Sequence, residues 1–275
     1  MRFVAVGDVM VDVLCALAPR PGERLHAEVA VRAGGSAMNA AARAVASGAT
    51  ATVIGRIGSD PAGDLVQAFA TAHGVEALLA RDEEVATGTS VALGTGEISV
   101  VADRGANARF SPADLPDPLE GDALLVSGFA LFQSGSAAAA RAALERFTGQ
   151  WTAVDLASPR LAAQADVERL AKDVKVVFAT AEEALALTGA KPEEAALQLA
   201  SSFEVVCVKL GADGALAAQP GTVERCSVTA KTKQAPFGAG DAFAAEFLVS
   251  LARGEQLTCA LSRACEAGAG AAANL

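Results

Sequence analysis

"KVVFATAEEALALTG" (175–189) opens with an apolar run that has no polar alternation and passes directly into a segment rich in Ala, Leu and Glu. A run of that kind fits a strand covered on both faces, and the segment behind it has helical composition and spacing. The same pairing recurs in both directions along the chain. "RFVAVGD" (2–8) comes before "SAMNAAARAVASG" (36–48), "TATVIGRIG" (50–58) before "AGDLVQAFATAHG" (62–74), and "ALLVSG" (123–128) before "GSAAAARAALERF" (135–147). "TAVDLA" (152–157) and "VVCVKLG" (205–211) add two more strands. Repeated βα units predict an α/β fold with a mostly parallel sheet flanked by helices on both faces.

Two stretches break this rhythm. Residues 13–33 and 87–105 are turn-rich with alternating apolar positions, and "LGTGEIS" (93–99) reads as a hairpin loop. They predict a small β lid over the carboxyl ends of the parallel strands, where open α/β sheets bind ligands. With 275 residues, no internal repeat and no long linker, residues 1–275 read as one domain carrying that lid.

Composition narrows the function. Hydrophobic residues make up 52%, much of it Ala, and the longest uncharged stretch (123–140) is interrupted by Ser, Gly and Gln, so no transmembrane helix is expected. Asp8 and Asp12 interrupt the first apolar run, which argues against a secretory signal and for a cytoplasmic protein. The net charge of −10, without a basic run, gives no support to a nucleic-acid or membrane partner. Five scattered cysteines without CxxC spacing read as reduced thiols with no zinc site. His26 and His73 lack the company a triad or metal centre needs.

The chemistry concentrates in "QAPFGAGDAFAAEFL" (234–248). Gly238, Ala239 and Gly240 leave the backbone N–H groups of a starting helix uncovered, and a helix N-terminus attracts anions. Asp241 then falls in the first turn, either as a general base beside a bound phosphate or as an acid favoured by the helix dipole. A second cluster, "RAGGSAMNAAARAVASGATATVIGRIGSDPAGD" (32–64), sets Gly34 and Gly35 ahead of a helix bearing Asn39. Adjacent glycines let a polyol lie against the backbone, and an amide both donates to and accepts from hydroxyls. A helix cap and a tight turn would use the same residues.

Taken together, "VGDVMVD", the di-glycine segment with its "GRIGSDPAGD" tail, "FATAEEALALTG", "VVCVKLGADGALA" and "GAGDAFAAEFL" resemble the PfkB, or ribokinase-like, family of carbohydrate kinases, with a lean to the 2-keto-3-deoxygluconate kinase branch. The resemblance implies a doubly wound core with a β lid and transfer of the γ-phosphoryl group of ATP to a sugar or sugar-acid hydroxyl. It implies Asp241 as catalytic base and the N–H groups of Gly238, Ala239 and Gly240 as the anion hole. By the same resemblance Asp12, Gly34, Gly35 and Asn39 hold the sugar. Thr180, Glu183, Lys209, Gly211 and Gly214 line the nucleotide site, with Glu183 reaching Mg2+ through water.

The chain departs from the family pattern at three places. Ala235, Pro236 and Phe237 replace the usual D-T-x, which removes a carboxylate many members use near a monovalent cation, so K+ activation is not expected. Thr180 stands where the family has Asn. Asp155 is present from a D-x-N pattern, but Ala157 replaces its amide and Arg160 follows as a candidate cation. Near the second lid stretch, Arg104, Asn107 and Arg109 offer a bidentate grip on a carboxylate or phosphate, or else form a solvated strand end. With no Tyr, adenine would lie among aliphatic residues such as those of "EAGAGAAANL" (266–275). The alternatives are a nucleoside kinase of the same family or a sugar- or nucleotide-binding sensor without turnover. An exposed lid edge also predicts a homodimer.

Overall fold

The computed structural model describes residues 1–94, 99–227 and 238–273, without the side chains of 272 and 273. The main sheet receives β1 (Arg2–Val6), and a second sheet begins with β2 (Met10–Cys15) and β3 (Val29–Gly34). Next come α1 (Ser36–Ala46), β4 (Thr50–Gly58), α2 (Pro61–Ala72), β5 (Val75–Asp82), β6 (Thr87–Leu93) and β7 (Ser99–Gly105). The chain continues through β8 (Ala123–Ser127), α3 (Gly128–Phe132), α4 (Ala137–Arg146), β9 (Trp151–Asp155), α5 (Pro159–Ala162) and α6 (Val167–Leu170). It then runs β10 (Val176–Thr180), α7 (Ala181–Thr188), α8 (Pro192–Leu199), β11 (Val205–Lys209), β12 (Ala215–Gln219), β13 (Thr222–Cys226), α9 (Ala239–Ala252) and α10 (Leu257–Ala273).

The nine-stranded sheet has the order β13-β12-β11-β10-β9-β8-β1-β4-β5 and is parallel except that β12 pairs antiparallel with both β11 and β13. Every strand expected from an unalternated apolar run belongs to it. Its two faces carry separate apolar layers. One holds Phe3, Val53, Phe178 and Cys207 against Met38 of α1 and Phe247 and Leu261 of the last two helices. The other holds Val4, Leu124, Val154 and Val206 against Leu144 and Leu199 of α4 and α8. No helix among the described residues is long and apolar enough to cross a membrane. All five cysteines are free thiols, of which Cys207 and Cys265 are buried and Cys259 is exposed.

The four-stranded sheet, order β3-β2-β6-β7, occupies the two stretches that broke the βα rhythm. Its first strand starts at Met10, three residues before the expected boundary, and residues 16–28 form no strand. The middle of the expected hairpin loop, 95–98, lies outside the described residues. In-register pairing aligns Val31, Val13, Val91 and Val101 in one row across all four strands. Asp12, Arg32 and Ser90 stand in the next row and so share the opposite face.

The roots of this sheet are tied to the core. Asp60 caps α2 by accepting from Gly63 N–H at 2.8 Å, and the same carboxylate accepts from Thr87 N–H at 2.8 Å and Thr87 Oγ1 at 2.6 Å. Burial opposes its charge, but these hydrogen bonds prevail and hold its pKa below the ordinary carboxylate value. Close contact explains two glycines of "GRIGSDPAGD". A Cβ at Gly58 would stand 2.6 Å from Thr87 N, and one at Gly63 would stand 2.4 Å from the Gly58 carbonyl.

Candidate functional site

The parallel strands deliver polar residues to one end of the sheet. Strands β8, β9, β10 and β11 finish at Ser127, Asp155, Thr180 and Lys209, and Asp8 follows β1 by two residues. Ser127 pairs with Asp155, and Thr180 with Lys209. The chain order reverses between β1 and β8, which is where an open α/β sheet forms a ligand crevice.

Helix α9 points its first turn at that crevice. Its cap, Gly238, is left-handed (φ 81°, ψ 0°), a conformation Gly adopts without strain. The cap residue itself therefore adds no side chain there, and no side chain among the described residues hydrogen-bonds to cap the helix. Phe178 of β10 packs edge-on against Phe243 and Phe247, at ring-centroid distances of 6.2 and 5.7 Å, which fixes α9 on the sheet. Burying each such ring contributes roughly 1.5–3 kcal/mol. Helix α1 locks against the same helix through Arg43 and Glu246 (2.6 Å) and through Ser47 Oγ and Glu246 (2.5 Å).

That lock brings Asn39 to Asp241 across 202 positions of sequence, with Nδ2 donating to Oδ2 at 2.9 Å. Burial pushes the Asp241 carboxyl up to about 7; the Asn39 hydrogen bond and the Lys209 charge pull it down, while Asp155 and Asp12 raise it further. A carboxylate poised near neutrality suits a proton acceptor.

The second sheet adds Asp12. It is 1% exposed, and its Oδ1 accepts from Ser90 Oγ at 2.5 Å. Among the described residues no hydrogen bond meets the distance and angle limits at its Oδ2. Burial raises the Asp12 pKa, with Ser90 and Arg32 acting in the opposite sense. A Cβ at Gly34 would stand 1.9 Å from Asp12 Oδ2, and one at Gly35 (φ 88°) would stand 2.4 Å from the Asp8 carbonyl. Only bare backbone fits there. Asp12, Gly34, Gly35, Asn39 and Asp241 thus converge.

Other expected residues sit differently. Arg104 donates to both Asp8 carboxylate oxygens, at 2.8 and 2.6 Å, and to Ser136 Oγ at 2.9 Å. Asn107 is buried, with its amide bonded to both polar groups of the Val9 backbone and to the Arg104 carbonyl. It clamps the root of β2. Arg109 pairs with Asp82 and Glu84, and Arg160 is exposed on α5.

On the other side of the crevice, Thr180 and Glu183 cap α7 reciprocally. Thr180 N–H donates to Glu183 Oε2 at 2.8 Å, and Glu183 N–H to Thr180 Oγ1 at 3.2 Å. Burial and neighbouring Asp155 raise the Glu183 pKa, against the pull of Lys209. Lys209 Nζ donates to Asp155 Oδ2 at 2.6 Å, and a Cβ at Gly240 would lie 3.3 Å from that ammonium. Gly211 and Gly214 bound the turn that follows β11. Ala157 has φ 71°, a conformation Asn adopts more readily than Ala, at the position where the D-x-N pattern has its amide. Residues 235–237, which replace D-T-x, lie outside the described residues, as do Asn274 and Leu275.

In the sequence Asp155 stands only as half of a broken D-x-N pattern. Its pairing with Lys209 joins strand ends 54 positions apart, and no local signal carries it.

Comparison with known proteins agrees with this geometry. The family model described as pfkB family carbohydrate kinase matches residues 2–274. A 2-dehydro-3-deoxygalactonokinase of Haloferax volcanii is 31% identical, over 95% of this chain and 87% of its own. A 5-dehydro-2-deoxygluconokinase of Shouchella clausii is 29% identical, over 94% and 85%. The solved structure of a putative ribokinase II from E. coli in complex with ATP and Mg2+ superposes with a TM-score of 0.85 at 17% identity, covering 98% of this chain and 91% of that one. With its sheet order, its crevice and a family match along nearly its whole length, this chain belongs to the pfkB family of carbohydrate kinases, phosphotransferases that use ATP to phosphorylate a sugar hydroxyl.

Proposed function

We propose that this chain phosphorylates a dehydro-deoxy sugar acid at the α9 tip, with Asp241 as the base. The observation that carries the reading is the Asn39–Asp241 hydrogen bond at the mouth of a helix whose cap bears no side chain. The sugar oxygen attacks the γ-phosphorus of ATP, the bond to the bridging oxygen breaks with its electron pair leaving on ADP, and Asp241 takes the hydroxyl proton. The N–H groups of Gly238, Ala239 and Gly240 face the charge that builds on the phosphoryl oxygens. Asp12, at whose Oδ2 no hydrogen bond among the described residues meets those limits, accepts from a sugar hydroxyl beside Gly34 and Gly35. The relatives' names supply the substrate class.

Mg2+ enters this reading with the nucleotide. Among the described residues no group of three or more His, Cys, Asp or Glu side chains could hold a metal ion, so a protein cage does not fit, whereas an ion carried on phosphate and water does. On this reading Glu183, beside Thr180, would hold one of those waters. The bound ion would neutralise phosphate charge. Thr180, Lys209, Gly211 and Gly214 flank the nucleotide on the same reading.

An ATP-consumption assay over pentoses, hexoses, 2-keto-3-deoxy acids and nucleosides tests the substrate class. The keto-deoxy acids are expected to give the highest kcat/KM; a nucleoside in first place, or no turnover of any sugar, would sink it.

The row Val31, Val13, Val91 and Val101 supports a homodimer through the outer face of the second sheet. Val31 is 58% and Val101 73% exposed, and uncharged β-branched residues in register pack well against a second copy. Light scattering is expected to give twice the chain mass, and a mass of 27.5 kDa at working concentration removes this assembly.

A further inference from the structure

Cys226 and Cys265 are far apart in sequence and adjacent in space. Cys226 ends β13, the outermost strand of the main sheet, and Cys265 lies midway along α10, which packs against that strand. Their thiols are in hydrogen-bond contact. The Cys226 thiol also donates to the Ser227 carbonyl at 3.8 Å. Cys265 is 5% exposed within the apolar layer that holds Phe247 and Leu261, whereas Cys226 is half-buried at the margin of that layer. One thiol of the pair therefore meets solvent while the other is shielded. Cys207 of β11 stands near Cys265 as well, but it is fully buried.

The segments that carry the pair adjoin the proposed nucleotide subsite on two sides. A Cβ at Gly214, in the turn after β11, would stand 1.9 Å from the Cys226 carbonyl. A Cβ at Gly268, nearly one turn beyond Cys265, would stand 3.2 Å from the Ala239 carbonyl in the first turn of α9.

We propose that Cys226 and Cys265 form a reversible disulfide site, closed by a small aliphatic disulfide of the glutathione class, and that the closed bridge weakens ATP binding. The Cys226 thiolate attacks one sulfur of the small disulfide; that S–S bond breaks, and the other half leaves as a thiolate. The Cys265 thiolate then attacks the Cys226 sulfur of the mixed disulfide and expels the second half. The two departing thiolates take up the two protons that Cys226 and Cys265 release, so the protein loses two electrons and the small disulfide gains them. Burial pushes the Cys265 thiol up to about 12, with Cys226 and Glu266 acting in the same sense. The first attack therefore belongs to Cys226. Strand β13 pairs on one side only, with β12, so its end can close onto α10 until the Cβ atoms stand about 3.8 Å apart, as a disulfide requires. That closure moves the Cys226 carbonyl, on which the Gly214 turn is seated with no room for a side chain. The bridge stands apart from the kinase reading; its effect on ATP rests on that reading.

The test treats the full chain with oxidised glutathione, maps its peptides by mass spectrometry without reduction, and measures both KM values before and after. The expected product is one pair of peptides joined through Cys226 and Cys265, separated again by dithiothreitol. In the bridged enzyme the KM for ATP rises by about 5-fold or more, the lower end of coupling between sites, and the sugar KM holds. Cys226→Ser and Cys265→Ala show neither the bridge nor the rise. Should Cys265→Ala not fold, Cys226→Ser decides alone. Mixed disulfides without a bridge, or a bridge through Cys15, Cys207 or Cys259, overturn the site. A mapped Cys226–Cys265 bridge with an unchanged KM for ATP overturns its control of the nucleotide. If the reduced wild type turns over no sugar with ATP, the kinase reading has failed, and the peptide map still decides whether the bridge forms.

Discussion

Asp241→Asn is expected to lower kcat by about 10²- to 10⁴-fold, the range for removal of a general base, while KM for sugar and ATP changes little. The amide keeps the shape of the carboxyl beside Asn39 but cannot take a proton. Wild-type activity should rise with pH through about 7, where burial places the Asp241 ionisation, and the variant should lose that limb. Stability gives an independent reading. A carboxyl whose folded-state pKa lies above its unfolded value of about 3.9 stabilises the fold fully below that pH, and the contribution is lost as pH rises toward the folded pKa. Urea denaturation between pH 4 and 7 should therefore show a steeper decline in wild type than in Asp241→Asn. Near-wild-type kcat in the variant would remove Asp241 from the chemistry.

Gly34→Ala should act on the sugar alone. The new Cβ would stand 1.9 Å from Asp12 Oδ2, so the carboxylate must leave its place beside Ser90 or the β2–β3 pair must part. Loss of one charge-assisted hydrogen bond costs about 1.5–3 kcal/mol, which corresponds to roughly a 10- to 100-fold rise in sugar KM. The KM for ATP should hold. Equal losses for sugar and nucleotide would mean that the crowding at Gly34 damages the fold and does not act through Asp12.

Much of the architecture was legible because parallel strands buried on both faces lose their polar alternation, as "KVVFAT" and "VVCVKLG" do. From the residues alone, Asn39 and Asp241 were legible only as two separate glycine-flanked helix starts, and the family resemblance was what joined them. Their meeting depends on the Arg43–Glu246 lock, which has no signature in either segment. Arg104 and Asn107 illustrate the opposite difficulty. At the end of a predicted strand, an arginine and an amide read as ligand-facing, yet their partners are Asp8 and Val9, about a hundred positions upstream. Charge committed inside the fold looks the same in sequence as charge offered to a ligand.

The anchoring of the second sheet has a mechanical corollary. Asn107 holds the chain at Val9, Asp60 holds Thr87, and β7 returns to the same end at Gly105, so the sheet is a cantilever clamped along one edge. At about 3.3 Å per residue, Asp12 lies roughly 7 Å out from Met10, and Cys15 roughly 17 Å. Any pivot at the clamp displaces Asp12 by about two-fifths of what it displaces the far end. On the proposed reading of Asp12 as the sugar's carboxylate, the tip would sweep across an entering sugar about two and a half times as far as the group that holds it.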